Sequence, residues 1–126
     1  MVTTDWRSWC READDLRIDA TDVVVTLDDG RRQTVRVSEG DGCLELTSTV
    51  LRPSAVEAIE DAALRAWRRN RSTRLVGFKV DARGRLVATA WVPLAGLAGD
   101  EFLAMVRRLA READLFEYQL TGADRE

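Results

Sequence analysis

The chain has no histidine, a single lysine (Lys79) and only two cysteines, far apart at Cys10 and Cys43. Without histidine, the usual general base near neutral pH and the commonest metal ligand are both missing. Two isolated cysteines cannot form a disulfide framework, and neither has a partner with a tunable proton to make it a nucleophile, so both read as small hydrophobes in a reducing, cytoplasmic setting. No glycine-rich phosphate loop is present. No apolar run reaches the roughly 18 residues a membrane span needs, and residues 1–7 carry no basic-then-apolar secretory pattern, so no membrane partner is expected.

What is present suits one soluble globular domain over residues 1–122, with 123–126 as a frayed tail. The chain is 126 residues long, 45% hydrophobic and 33% charged. A chain of this size encloses a single core. A net charge of −3 disfavours nucleic acid as a partner.

Periodicity places the elements. Trp6, Trp9, Cys10, Ala13 and Leu16 recur at helical spacing, predicting a first helix over Thr4–Leu16 with Thr4 as its cap. Strict alternation follows in Val23–Leu27, Arg32–Val37 and Cys43–Val50, and the turns Asp28-Asp29-Gly30 and Glu39-Gly40-Asp41-Gly42 join these into a meander. Pro53 opens a second helix running to about Arg69, with acids first and arginines last as the helix dipole favours. Its alanine stripe, Ala55, Ala58, Ala62 and Ala66, suits a close helix–helix approach. Arg74–Val80 and Arg85–Val92 form a hairpin about Asp81-Ala82-Arg83-Gly84. The last helix runs from Gly99 to Thr121, with Phe102, Val106, Leu109, Ala113, Phe116 and Leu120 as its core stripe. The order is helix, three-stranded meander, helix, β-hairpin, helix, which is an α+β class.

Chemistry is hard to find in this inventory. Most carboxylates sit in turns or opposite arginine, as Asp61 does with Arg65. Asp28, Asp29, Glu39 and Asp41 lack the ordered oxygen spacing of a calcium loop. No catalytic residue, metal ligand or cofactor is therefore assigned. The one basic concentration, Arg65, Arg68, Arg69, Arg71 and Arg74, could hold an anionic ligand or nucleic acid; its bland reading is that cations gather at a helix C-terminus. Trp6, Trp9 and Trp67 default to the core. Alternation instead puts Trp91 on the sheet face opposite Leu86, Ala88 and Ala90, where an exposed tryptophan favours an interface.

The element order, together with Leu75–Val80, a turn, Leu86–Val92 ending in Pro93-Leu94, and then Leu97-Ala98-Gly99-Asp100-Glu101-Phe102, resembles the type III secretion chaperone (Tir chaperone) fold and its YbjN-like relatives. The resemblance implies a five-stranded antiparallel sheet packed on the first and last helices. It also implies a homodimer joined at the middle helix, where the alanine stripe lies. The expected function is a non-enzymatic, chaperone- or adaptor-like module holding a partner protein of unknown identity. Trp91, Val24 and Val87 on the sheet, with Trp6 and Trp9 on the first helix, are the expected contacts.

Overall fold

The computed structural model describes residues 5–122. The elements run α1 (Trp6–Arg11), β1 (Leu16–Asp19), β2 (Asp22–Thr26), β3 (Arg32–Gly40), β4 (Cys43–Leu51), α2 (Pro53–Ala58), α3 (Ala62–Asn70), β5 (Gly77–Val80), β6 (Leu86–Pro93) and α4 (Gly99–Thr121). The strands form one antiparallel sheet in the order β1-β2-β3-β4-β6-β5. The expected helix–meander–helix–hairpin–helix frame is present, with a sixth strand added.

That extra strand corrects the first helix. Helical spacing through Ala13 and Leu16 predicted thirteen residues, but α1 stops at Arg11 and Leu16–Asp19 pairs with β2 instead. Leu16 and Ile18 also fit period two, and Ala20, at φ 57°, makes the turn back into Asp22. A short segment with both periodicities goes to whichever neighbour offers a ladder. Asp15 is then anchored to α4 by two hydrogen bonds from Arg107, of 2.8 and 2.9 Å. The predicted cap, Thr4, lies outside the described residues, as does the 123–126 tail; Asp5 accepts from the Ser8 N–H at 3.2 Å.

The second helix is also corrected: it is two helices. Ile59 is extended and Asp61 sits at φ 61°, breaking the rod between Ala58 and Ala62. The rotation imposed there changes which residues of α3 face inward.

Val23, Val25, Val35, Val37, Leu44, Leu46, Leu86, Ala88, Ala90 and Val92 line one sheet face, and the α4 stripe Phe102, Val106, Leu109, Ala113 and Phe116 covers it. Trp6 and Trp9 close the far end against Phe102, with ring centroids 6.1 and 5.6 Å apart. Gly99 permits this, because a Cβ there would lie 2.9 Å from the Trp9 ring. One polar pair sits within the core layer: the Gln33 side-chain amide donates to Ser48 Oγ (2.9 Å), which in turn donates to the Thr34 carbonyl (2.7 Å). Both side chains of this pair are thereby hydrogen-bonded, as buried polar groups require.

Candidate protein-binding surface

The other face of β2, β3 and β4 displays Val24, Thr26, Thr34, Arg36, Glu45, Thr47 and Thr49, all exposed or half-buried. On β6 it displays Trp91, which is 64% exposed. The alternation argument for Trp91 is therefore met. It fails for Val87, which is only 1% exposed, since this interior-strand position is flanked in register by Thr49 and Lys79. Trp6 is buried and Trp9 half-buried, both against Phe102, so α1 offers little contact area. Val24 stays half-exposed on β2, with β3 and β4 standing between it and Trp91 on β6. Of the five expected contacts, only Trp91 is both large and open.

The alanine stripe does not form one face. Ala62 and Ala66 are buried within the chain's own fold, Ala58 is exposed and Ala55 half-buried. The break at Asp61 puts the two halves on separate helices, and a residue already covered by its own chain cannot meet a second copy.

The rotation that buries Ala62 and Ala66 turns Leu64 and Trp67 outward. Trp67, expected in the core, is 59% exposed, with the Arg71 guanidinium 5.8 Å from its ring centroid. Just beyond α3, Leu75 is 70% exposed at φ 70°. A leucine in the left-handed region is uncommon and strained. Leu75 lies two residues before Gly77, and Trp91 lies two after its partner Thr89, so both emerge at the same end of the β5–β6 ribbon. Sequence reasoning missed Leu64 and Leu75. The Ile59–Asp61 break could have been suspected from Glu60-Asp61 within an apolar pattern; the backbone twist at Leu75 has no sequence signature.

The arginine cluster divides. Arg65, Arg68, Arg71 and Arg74 are exposed. Arg69 turns inward and ties α3 to α4: its guanidinium lies 4.7 Å from the Phe116 ring centroid and 5.4 Å from that of Phe78, and it bonds Gln119 and pairs with Glu112 at 3.6 Å. Next to it, the Asn70 amide accepts from the Phe78 N–H (2.7 Å) and donates to the Phe78 carbonyl (2.9 Å), occupying the outer edge of β5. An edge strand plugged in this way cannot accept another strand at that point.

Of the carboxylates and thiols whose pKa shifts, none moves toward neutral pH. The hydrogen bonds from Arg107 hold Asp15 below the usual carboxylate range. Burial pushes Asp81 up, but hydrogen bonds from the Arg85 and Arg83 N–H groups and the Arg85 side chain outweigh it and bring it down. Both shifts run opposite to what a general acid needs. Burial raises the Cys10 thiol to about 11, away from nucleophilic use. A cleft of about 360 Å³ on the outer sheet face is polar, with Arg32, Arg36 and Arg85 around Thr34, Thr47 and Thr49. Two of these arginines are already paired, Arg36 with Asp22 and Arg85 with Asp81. Among the described residues, no three His, Cys, Asp or Glu side chains gather as a metal site, and no helix is long and apolar enough to cross a membrane.

Residues 7–120 match the model of the YbjN family, described as "Putative bacterial sensory transduction regulator". The chain belongs to the YbjN family. The YbjN structure from E. coli is similar over 94% of this chain and 90% of that one, with 18% identity and a TM-score of 0.63. A chain of the ExsC–ExsE complex is similar over 91% and 92%, with 18% identity and a TM-score of 0.61. The Yersinia pestis type III secretion chaperone SycH, solved with a stable fragment of YscM2, is similar over 86% and 96%, with 11% identity and a TM-score of 0.51. At such identities the likeness is one of fold, and it places this YbjN-family chain in the architecture that secretion chaperones share. No curated protein matches the sequence significantly.

Proposed function

We propose that this protein is a non-enzymatic binding module, chaperone- or adaptor-like, that holds a partner polypeptide on exposed apolar surface from a cytoplasmic location. The observation that carries the reading is Trp91, a large aromatic left open on a sheet face, with the exposed Leu75 emerging at the same end of the β5–β6 ribbon. Exposed tryptophan at such a position is the residue type that dominates binding energy at interfaces. The fold supports the reading, since ExsC and SycH adopt it in complexes with ExsE and a YscM2 fragment. A homodimer belongs to the same reading, with Ala55 and Ala58 on α2 as the accessible remainder of the alanine stripe.

The test is capture of a defined partner from the host by the tagged protein, with the complex then rebuilt from purified components. Trp91→Ala should abolish it while leaving the fold intact by circular dichroism. A chain that elutes at monomer mass and retains no stoichiometric partner refutes both parts. A second reading, an anionic ligand or nucleic acid on the Arg65–Arg74 cluster, is favoured by its four exposed guanidiniums. Steep loss of oligonucleotide affinity with salt would establish it.

A further inference from the structure

From Ala62 to Val76 the chain carries five arginines and no acid, inside a protein whose net charge is −3. On α3 the inward arc holds Ala62, Ala66 and Arg69, and the outward arc holds Leu64, Trp67, Arg68 and Arg71. Successive residues turn by about 100°, so these four fall on one contiguous stripe with Arg65 at its border. Arg74 and the exposed Leu75 extend the same chemistry into the following loop. The macrodipole accounts for arginines in the last turn of α3. It does not account for Arg74, nor for a tryptophan and two leucines left open among them.

We propose that this stripe is the docking site for an acidic amphipathic segment of a partner polypeptide, whose apolar side chains cover Leu64, Trp67 and Leu75 while its carboxylates meet Arg65, Arg68, Arg71 and Arg74. A second copy of this chain is a poorer occupant, because an isologous seam would bring the arginines of both copies together with only Glu60 and Asp61, at the start of α3, to offset them. Nucleic acid is a poor occupant too. Trp67 is the one stacking plane on the stripe, Leu64 and Leu75 offer none, and the acidic remainder of the molecule repels a long polyanion. An acidic helix or strand with its own apolar stripe satisfies both the charge and the uncovered hydrophobic area. The inference rests on the protein-binding reading and adds the chemistry of the partner.

The probes are a labelled synthetic peptide with Leu and Phe at helical spacing and Glu elsewhere, its Lys counterpart, and oligothymidylate, each titrated by fluorescence anisotropy against the full chain. The acidic peptide should bind and the Lys peptide should not. Trp67→Ala, and Arg68→Ala with Arg71→Ala, should each weaken binding about tenfold. Leu75→Gly should weaken it as well while relaxing the backbone, a combination that a purely structural leucine would not give. Equal binding of the two peptides overturns the proposal. So does tighter binding of oligothymidylate with the same arginine dependence. If a partner captured through Trp91 is retained unchanged by Arg68→Glu/Arg71→Glu, this inference falls and the protein-binding reading stands. If no partner is captured and neither peptide binds, both fall.

Discussion

Replacing Asn70 should loosen one strand in a way that can be read at a single amide. In an antiparallel edge strand, alternate residues point their N–H and C=O away from the sheet, and on β5 Phe78 is such a residue. Asn70, the last residue of α3, supplies both missing partners through one side-chain amide, at 2.7 and 2.9 Å. Two part-buried hydrogen bonds at about 0.5–1.5 kcal/mol each contribute about 2 kcal/mol in total. Alanine returns about 0.5 kcal/mol of helix propensity, and water can replace part of the bonding because Asn70 is itself exposed. Asn70→Ala should therefore destabilise by about 1 kcal/mol, or roughly 4 °C in Tm for a chain of this size. The decisive measurement is hydrogen exchange at the Phe78 amide, which should lose protection while the α4 core amides keep theirs. Asn70→Asp makes a sharp control: it retains an acceptor for the Phe78 N–H, so protection there should persist, but its second oxygen faces the Phe78 carbonyl and stability should still fall. Unchanged Phe78 exchange in Asn70→Ala would refute the clamp.

Four further outcomes follow from the packing and electrostatics. Phe102→Ala empties the space that Trp6 and Trp9 share and should cost about 3–5 kcal/mol in urea unfolding, with a change in tryptophan emission. Because Asp15 has a lowered folded pKa, its pairing with Arg107 stabilises above the ordinary carboxylate range and is lost as pH falls through the folded value. Asp15→Asn should thus cost about 0.5–1 kcal/mol at pH 7, the modest value expected of a partly exposed pair, and nothing once Asp15 is protonated in both states. Cys10, buried and with its pKa near 11, should resist Ellman's reagent in the folded protein, while Cys43 reacts; denaturation should release the second thiol. Leu75→Gly removes left-handed strain but loosens the unfolded chain, so a net gain of about 0.5 kcal/mol is expected by chemical denaturation.

Long periodic segments were legible without coordinates, and short or interrupted ones were not. The α4 stripe from Phe102 to Leu120 and the alternation in β2–β4 each carry enough repeats that only one face can be apolar, so their burial could be read directly. Leu16–Asp19 is too short for its period to be decided locally, and pairing with β2 settled it. For the surface, alternation alone placed Trp91, since a strand residue between buried neighbours has one direction left to point.

Local order along the chain settled the α+β class and the three turn-joined pairs about Gly30, Gly42 and Gly84, because these depend on neighbours a few residues apart. Tertiary structure settled the rest. Asp61 rotates α3 so that Ala66 goes in and Trp67 comes out, Arg69 is drawn between Phe78 and Phe116, and Val87 is shut in by its flanking strands. Which side of a short helix meets the core depends on the path of the chain into it, and that path is set by packing against elements distant in sequence.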